Sequence, residues 1–394
     1  MAARMPIDEI HKVCFVGAGT MGCYNSLVAA ISGYQVVLFD QSEEVLQQVT
    51  ERHGEWGPLL VGGGYCSEQE LAAAKPRITV EPDLARAVAD ADLVSESIFE
   101  QIDIKREIHA RLDEACPERT LLTSNSSALL VSDLEDVVSR GDKFAALHSH
   151  IGSALFDIVG GPRTSASVIS RLVRYVESLG CVPLVQHKEH PGYVLNAMLG
   201  PLLAAALRLV IKDGLTIEQV DRAWMVRQAA PMGPFGMMDL FGLNVIHDSW
   251  QQSKPDAYRQ QLQPAVLALL KPYMDEGQLG IKSGAGFYQY PEPAYQASDF
   301  QTREASLPLA ENGLLTTLIS SAVLIAAKGV TEAKNVDMAW TVGTHLATGP
   351  LATLESIGHK AFEGMLSEHE GAGRINKNDA RVVREYLRTV YSQT

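Results

Sequence analysis

The chain is poor in cysteine. It has five among 394 residues: Cys14, Cys23, Cys66, Cys116 and Cys181. The number is odd, the spacing is wide, and none follows Cys181. No CxxC pair occurs, so neither a disulfide framework nor a cysteine zinc site is indicated. No metal is expected, and a reducing, cytoplasmic setting fits best. Positive charge is also scarce. Lys and Arg total 33 against 47 Asp and Glu, a formal net charge of −14. A nucleic-acid binder needs a basic stripe and an anionic membrane attracts one, so neither partner is expected. The apolar stretch Ala197–Ile211 is short for a bilayer and is broken by Arg208. The N-terminal MAARMPIDEIHKVCFVG has no apolar run before Val13, so no signal peptide is expected.

What is present is βα alternation. Val13–Val16 reads as a strand, Met21–Ile31 as a helix and Gln35–Phe39 as the next strand. Further strands are predicted at Ile78–Val80, Leu93–Ser97, Thr120–Thr123, Phe144–Leu147, Leu155–Val159 and Val182–Val185. Helices are predicted at Pro82–Ala89, Ile104–Ala115, Leu134–Val138 and Ala166–Leu179. Gly54–Gly64 reads as a Gly-rich lid. Beyond Pro191-Gly192 strand-like runs largely vanish, and Ala197–Lys212, Ile217–Gln228 and Leu262–Leu270 read as helices. The fold class is α/β plus all-α: a Rossmann-type doubly wound sheet, then helical domains.

The helical part repeats itself. GLTIEQVDRAW (Gly214–Trp224) recurs as GVTEAKNVDMAW (Gly329–Trp340). MGPFGMMDLFGLN (Met232–Asn244) recurs as TGPLATLESIGHK (Thr348–Lys360). Matches in the same order point to duplication. Three domains follow: 1–190, 191–292 and 300–394. A single chain could thus hold an internal pseudo-dimer, or form a homodimer.

GAGTMG supplies the clearest chemistry. It follows a strand and opens a helix. Gly17 permits the tight turn, Gly19 lets backbone approach a pyrophosphate, and Gly22 lets helix and strand pack closely. Ala18, Thr20 and Met21 complete the loop, whose helix N-terminus favours an anion. Asp40 ends the second strand, where it can take ribose hydroxyls. Gln41-Ser42 offers no cation for a 2′-phosphate, so the cofactor expected is NAD.

At this point the chain resembles the L-3-hydroxyacyl-CoA dehydrogenases, including the lambda-crystallin, L-gulonate and carnitine dehydrogenase branch. The likeness rests on Glu96–Glu114 (ESIFEQIDIKREIHARLDE), TSNSSALL (Thr123–Leu130), FAALH (Phe144–His148), HPGYVLN (His190–Asn196), PMGPFGMMDLFGLN (Pro231–Asn244) and GIKSGAGFYQY (Gly280–Tyr290). It implies His148 as catalytic base, with His150 two residues on as a competitor. Asp157 stands for the family glutamate that orients this histidine. Ser127 would contact nicotinamide and the substrate hydroxyl, and Asn196 would hold the β-oxygen or the histidine. Glu100, Lys105 and Lys282 would lie on the cofactor side, with Gln41 beside Asp40. As a residue reading alone, Ser127 or Asn196 could simply cap a helix, Glu100 and Lys105 could be a solvated pair, and Lys282 a surface turn residue.

The chain departs from the family at the base. The usual H-F-F-N-P reads His148-Ser149-His150-Ile151-Gly152, and the arginine expected after Asn196 is Ala197. Relatives use basic residues after the second strand for CoA phosphates, yet from Gln41 to Ala74 the only Lys or Arg is Arg52. The leading expectation is reversible oxidation of a 3-hydroxyacyl group, bound to CoA or a carrier protein, to its 3-oxo form. A free, non-thioester β-hydroxy acid is the alternative substrate. A cofactor-binding protein that has lost turnover is the non-enzymatic alternative.

Overall fold

The computed structural model describes residues 4–251, 257–303 and 307–391. Residues 1–3 of the N-terminal segment and 304–306 and 392–394 of the last expected domain lie outside the described residues. Two compact units emerge. The first comprises Met1–Val194 with Gly329–Asn335 and Val342–His345, and the second comprises the remainder. Most of the stretches 191–292 and 300–394, expected as two domains, thus fall in one unit, while 191–194, Gly329–Asn335 and Val342–His345 fall in the other.

The first unit is an eight-stranded sheet. Its strands are β1 (Lys12–Val16), β2 (Gln35–Phe39), β3 (Ile78–Glu81), β4 (Leu93–Glu96), β5 (Leu121–Ser124), β6 (Phe144–Ser149), β7 (Leu155–Gly160) and β8 (Val182–Gln186). The spatial order is β3-β2-β1-β4-β5-β6-β7-β8. Every neighbouring pair is parallel except β6 with β7. The Rossmann-type sheet is therefore as expected, with one antiparallel pair inside it.

Strand side chains alternate between faces, so each strand feeds two cores. Val13, Phe15, Val36, Leu38, Ala145, Leu147 and Ile158 pack on one face. Cys14, Val16, Val37, Phe39, Val94, Leu122, Phe144, Ala146 and Val159 pack on the other. Helices Thr20–Ile31 and Ala166–Ser178 cover the first face through Leu27, Val28, Leu172 and Tyr175. Helix Ile102–Ala115 covers the second through Ile108 and Leu112. This alternation has a consequence at the strand ends. Two residues on from Val94, Leu122 and Ala146, the same face receives Glu96, Ser124 and His148.

Two expectations change. Gly54–Gly64 is no lid: it is largely the latter part of helix Val49–Gly62. Trp56 and Leu60, four apart, are buried, and Trp56 meets Tyr24 edge to face at 5.5 Å. A Cβ on Gly57 would stand 2.8 Å from the end of the Leu71 side chain, so the helix passes close to that residue. Leu134–Val138 forms a single 3-10 turn, Glu135–Val137, rather than a helix.

The second unit shows the repeat in its hydrogen bonds. Asp221 accepts the N–H groups of Phe235 and Gly236 at the start of helix Pro234–Phe241. Asp337 accepts those of Leu351 and Ala352 at the start of helix Pro350–Ile357. Trp224 and Trp340 meet edge to face at 6.3 Å. Helix Pro308–Ala327 packs against helix Leu195–Ile211. It is long and apolar enough to cross a membrane, but 61% of its apolar window is buried inside the protein, as in a core helix.

The first turn is tight. Gly17 has φ +103° and Gly22 lies so close that a Cβ would stand 1.8 Å from the Gly17 carbonyl oxygen. Gly22→Ala is expected to destabilise the chain by about 1–3 kcal/mol through overpacking. The measurement is the urea midpoint, and an unchanged midpoint would contradict the close approach.

Candidate active site

The centre of the site is the β6–β7 pair. Its register places His148 directly opposite Asp157. Opposed residues have neighbouring Cβ atoms, so the short Asp side chain suffices. Nδ1 of His148 lies 3.0 Å from Oδ2 of Asp157. Nε2 of His148 lies 3.1 Å from the hydroxyl of Ser127. The Tyr193 ring stacks on the imidazole at 4.7 Å, and its hydroxyl donates to the Ser126 carbonyl at 2.7 Å. His150 also reaches Asp157, with Nε2 2.8 Å from the same Oδ2. Gln186 donates to the other oxygen at 2.9 Å.

Burial pushes the His148 pKa down, and the nearby His150 adds to this. The Asp157 partnership opposes the shift without reversing it, so the ring is neutral at pH 7. Burial pushes the Asp157 carboxyl up, but its two histidine partners outweigh that and hold it below the usual range. A neutral imidazole backed by a carboxylate, with a hydroxyl at its free nitrogen, can take a proton from an alcohol.

Ser127 is exposed, but its backbone is fixed. Glu100 accepts the N–H groups of Ser127 and Ala128 at 3.0 and 2.9 Å, and also the Ser126 hydroxyl. Lys105 lies 3.3 Å from Glu100 and 2.6 Å from Glu96. Glu96 further accepts the Ser124 hydroxyl and meets His109 at 3.2 Å. Lys105 and His109 are one turn apart on the buried side of helix Ile102–Ala115. Lys105 is only 1% exposed. In this structure Glu100 and Lys105 hold the serine loop. A second buried chain runs from Asn25 to the Ser149 hydroxyl and on to Asn125.

In the glycine loop, Asp40 accepts the Ala18 N–H at 2.9 Å and the Ser42 N–H at 3.0 Å. A Cβ on Gly19 would meet nothing within 4 Å, so the backbone there is open to a ligand. Helix Thr20–Ile31 has no side-chain cap and no acid in its first turn, which leaves its first N–H groups for an anion. Thr20 and Gln41 are exposed, and Met21 is half-buried. These residues fit a dinucleotide pyrophosphate and ribose. Asn196, half-buried in the first turn of helix Leu195–Ile211, and Lys282, in the turn Ile281–Ser283, belong to the second unit.

Tyr193, Gln186, Glu96 and His109 were not singled out from the sequence. The signal for two of them was visible. Lys105 and His109 occupy core positions of a helix with Ile108 and Leu112, and Tyr193 stands inside HPGYVLN.

Burial pushes the Glu96 carboxyl up, but His109 and Lys105 overcome this and hold it at about 2 against an ordinary 4.5. The folded chain therefore favours its ionised form. That stability is complete above about pH 4.5 and is lost as pH falls toward 2. Lys105→Met would strand the buried carboxylate and is expected to cost about 3–5 kcal/mol in urea unfolding at pH 7. An unchanged midpoint would show that Glu96 does not need the cation.

Comparison with known proteins gives the family. Residues 12–190 match the 3-hydroxyacyl-CoA dehydrogenase NAD binding domain, and residues 192–290 match the 3-hydroxyacyl-CoA dehydrogenase C-terminal domain. The human mitochondrial hydroxyacyl-coenzyme A dehydrogenase is 31% identical over 296 residues, 71% of this chain and 91% of that protein. A diketoreductase acting on dicarbonyl compounds is 34% identical over 72% of this chain and 100% of its own, with a TM-score of 0.65. The Escherichia coli 3-hydroxybutyryl-CoA dehydrogenase structure covers 98% of this chain and 100% of its own at a TM-score of 0.79. Its identity is 22%, so it speaks for the fold, including the last helical stretch. The chain belongs to the 3-hydroxyacyl-CoA dehydrogenase family, and its first unit is the family's NAD-binding domain.

Proposed function

We propose that the chain catalyses reversible NAD-dependent oxidation of a 3-hydroxyacyl thioester to its 3-oxo form, with His148 as general base. The observation that carries this reading is one buried imidazole held at both nitrogens, by Asp157 and by Ser127. Gly17–Gly22 and Asp40 would hold NAD, which when bound supplies the hydride acceptor. His148 takes the hydroxyl proton of the alcohol on Nε2. Asp157 stabilises the imidazolium that forms. Ser127 donates to the substrate oxygen as charge builds there. Glu100 positions Ser127 through the backbone, and Lys105 positions Glu100. In the reverse direction the imidazolium returns its proton to the reduced oxygen.

His150 has the weaker claim as base. Its Nε2 is turned to the carboxylate, and Ser127 lies at His148 instead. The adjacency of His148, Asp157 and Ser127 also argues against a protein that only binds cofactor.

A second substrate reading has a specific observation behind it. Arg52 is the one Lys or Arg between Gln41 and Ala74. Its guanidinium donates to the Ala18 carbonyl at 2.7 Å and to Gln48 at 2.9 Å. It is thus engaged within the protein, and the segment offers little to CoA phosphates. The diketoreductase relative, which acts on dicarbonyl compounds, supports a substrate other than a CoA thioester.

His148→Ala is expected to leave NADH binding nearly unchanged in a fluorescence titration while lowering turnover by about 10²–10⁴-fold. Normal turnover would remove His148 from the mechanism. NADH oxidation measured side by side with 3-oxoacyl-CoA, a carrier-bound 3-oxoacyl group and a free 3-oxo acid separates the substrates. The thioester reading expects the highest kcat/KM with one of the first two, and a clear preference for the free acid would replace it.

A further inference from the structure

Hydride transfer uses one imidazole on Asp157, yet the structure provides two. Nδ1 of His148 and Nε2 of His150 both face Oδ2 of Asp157, at 3.0 and 2.8 Å. One ligand atom from each of the three residues lies within 4.8 Å of the others. The two rings meet edge to face, with centroids 4.5 Å apart. Asp157 is completely buried, His148 is 3% exposed, and His150 is half-buried. Gln186 holds the second carboxylate oxygen and so fixes the orientation of the group. Just beyond His150, Ile151 and Gly152 are exposed. The histidine turn thus brings the cluster within two residues of exposed backbone.

Two imidazole nitrogens and one carboxylate are a donor set for zinc and its neighbours in the first transition row. With bonds of about 2.0–2.1 Å, tetrahedral zinc separates its ligand atoms by roughly 3.3 Å. Both nitrogens face Oδ2, and a shift of a few tenths of an ångström away from it brings each nitrogen–oxygen separation to that spacing; the three ligand atoms already lie within 4.8 Å of one another. Gln186 would then act as the outer partner that steadies the carboxylate ligand.

We propose that His148, His150 and Asp157 form an inhibitory site for a divalent transition-metal ion, with zinc as its probe. Such an ion binds the Nδ1 lone pair of His148. The single ring proton of the neutral imidazole then resides on Nε2, which faces Ser127. That nitrogen donates a hydrogen bond and has no lone pair left for the proton of an alcohol. His150 likewise keeps its proton on Nδ1. The His148 ring releases no proton, because it only changes tautomer, and the carboxylate offsets one of the two metal charges. Metal binding and base catalysis at His148 are mutually exclusive. The inhibitory part rests on His148 being the base, whereas the binding part does not.

The test is equilibrium dialysis of the full-length, metal-depleted protein against zinc, with oxidation of 3-hydroxybutyryl-CoA by NAD measured in parallel. The wild type is expected to hold one zinc ion per chain, to lose activity in proportion, and to recover it with a chelator. His150→Phe is expected to bind zinc at least about tenfold more weakly, and Gln186→Leu about 10–100-fold. Cobalt(II) in the wild-type protein should show the intense visible absorption of a tetrahedral site, so the proposal does not depend on how either variant folds. Three results would overturn it: no zinc retained at micromolar concentrations, equal zinc binding by folded His150→Phe, or bound zinc without inhibition. If the metal-free protein turns over neither 3-hydroxybutyryl-CoA nor any of the three 3-oxo substrates, the thioester reading and the inhibitory part fail together, and dialysis and cobalt spectra still decide the binding part.

Discussion

The candidate active site depends on one antiparallel pairing inside an otherwise parallel sheet. Because β6 runs against β7, His148 and Asp157 face each other across the ladder on the same side of the sheet. A parallel neighbour would carry its residues toward the same edge from a distant crossover. Here a short turn suffices, and the carboxylate reaches the ring without a longer side chain. Tyr193 closes the other side of the imidazole by stacking on it and by tying its hydroxyl to Ser126.

The rest of the polar network obeys the same period of two. Glu96 and Ser124 end β4 and β5, and His148 is the last but one residue of β6, on the face that carries Val94, Leu122 and Ala146. A buried carboxylate at Glu96 is costly unless its lone pairs are filled and its charge is met. Lys105, His109 and Ser124 do this from the helix and the next strand. Lys105 then reaches Glu100, and Glu100 holds the backbone of the Ser127 loop. The buried charge and the geometry of the serine loop are thus linked through one lysine.

Part of this was legible before any fold was known. The GAGTMG turn, the βα alternation and Asp40 announce a dinucleotide site, because tight turns and pyrophosphate approach impose glycine at fixed spacing. His148, Asp157 and Ser127 were legible through their surrounding motifs. The remodelled His148-Ser149-His150 stretch announced a change but not its meaning. Its meaning is spatial: Ser149 joins a buried chain to Asn25 and Asn125, and His150 shares the Asp157 oxygen. The Gly-rich segment misled, since Trp56 and Leu60 make it a packed helix despite its glycines.

Local sequence alone determined the cofactor turn, the strand and helix succession, and the duplication, since each rests on spacing along the chain. Tertiary structure alone decided which distant residues complete each unit. Gly329–Asn335 and Val342–His345, from the last repeat, belong to the first unit. Val330 accepts the His187 N–H there, and His345 meets the Gly152 carbonyl at 2.9 Å, beside the histidine turn. Such pairings join residues well over a hundred positions apart. No periodicity encodes them, because they form only once the sheet is folded: Gly152 follows β6 at one end of the strands, and His187 follows the oppositely directed β8 at the other.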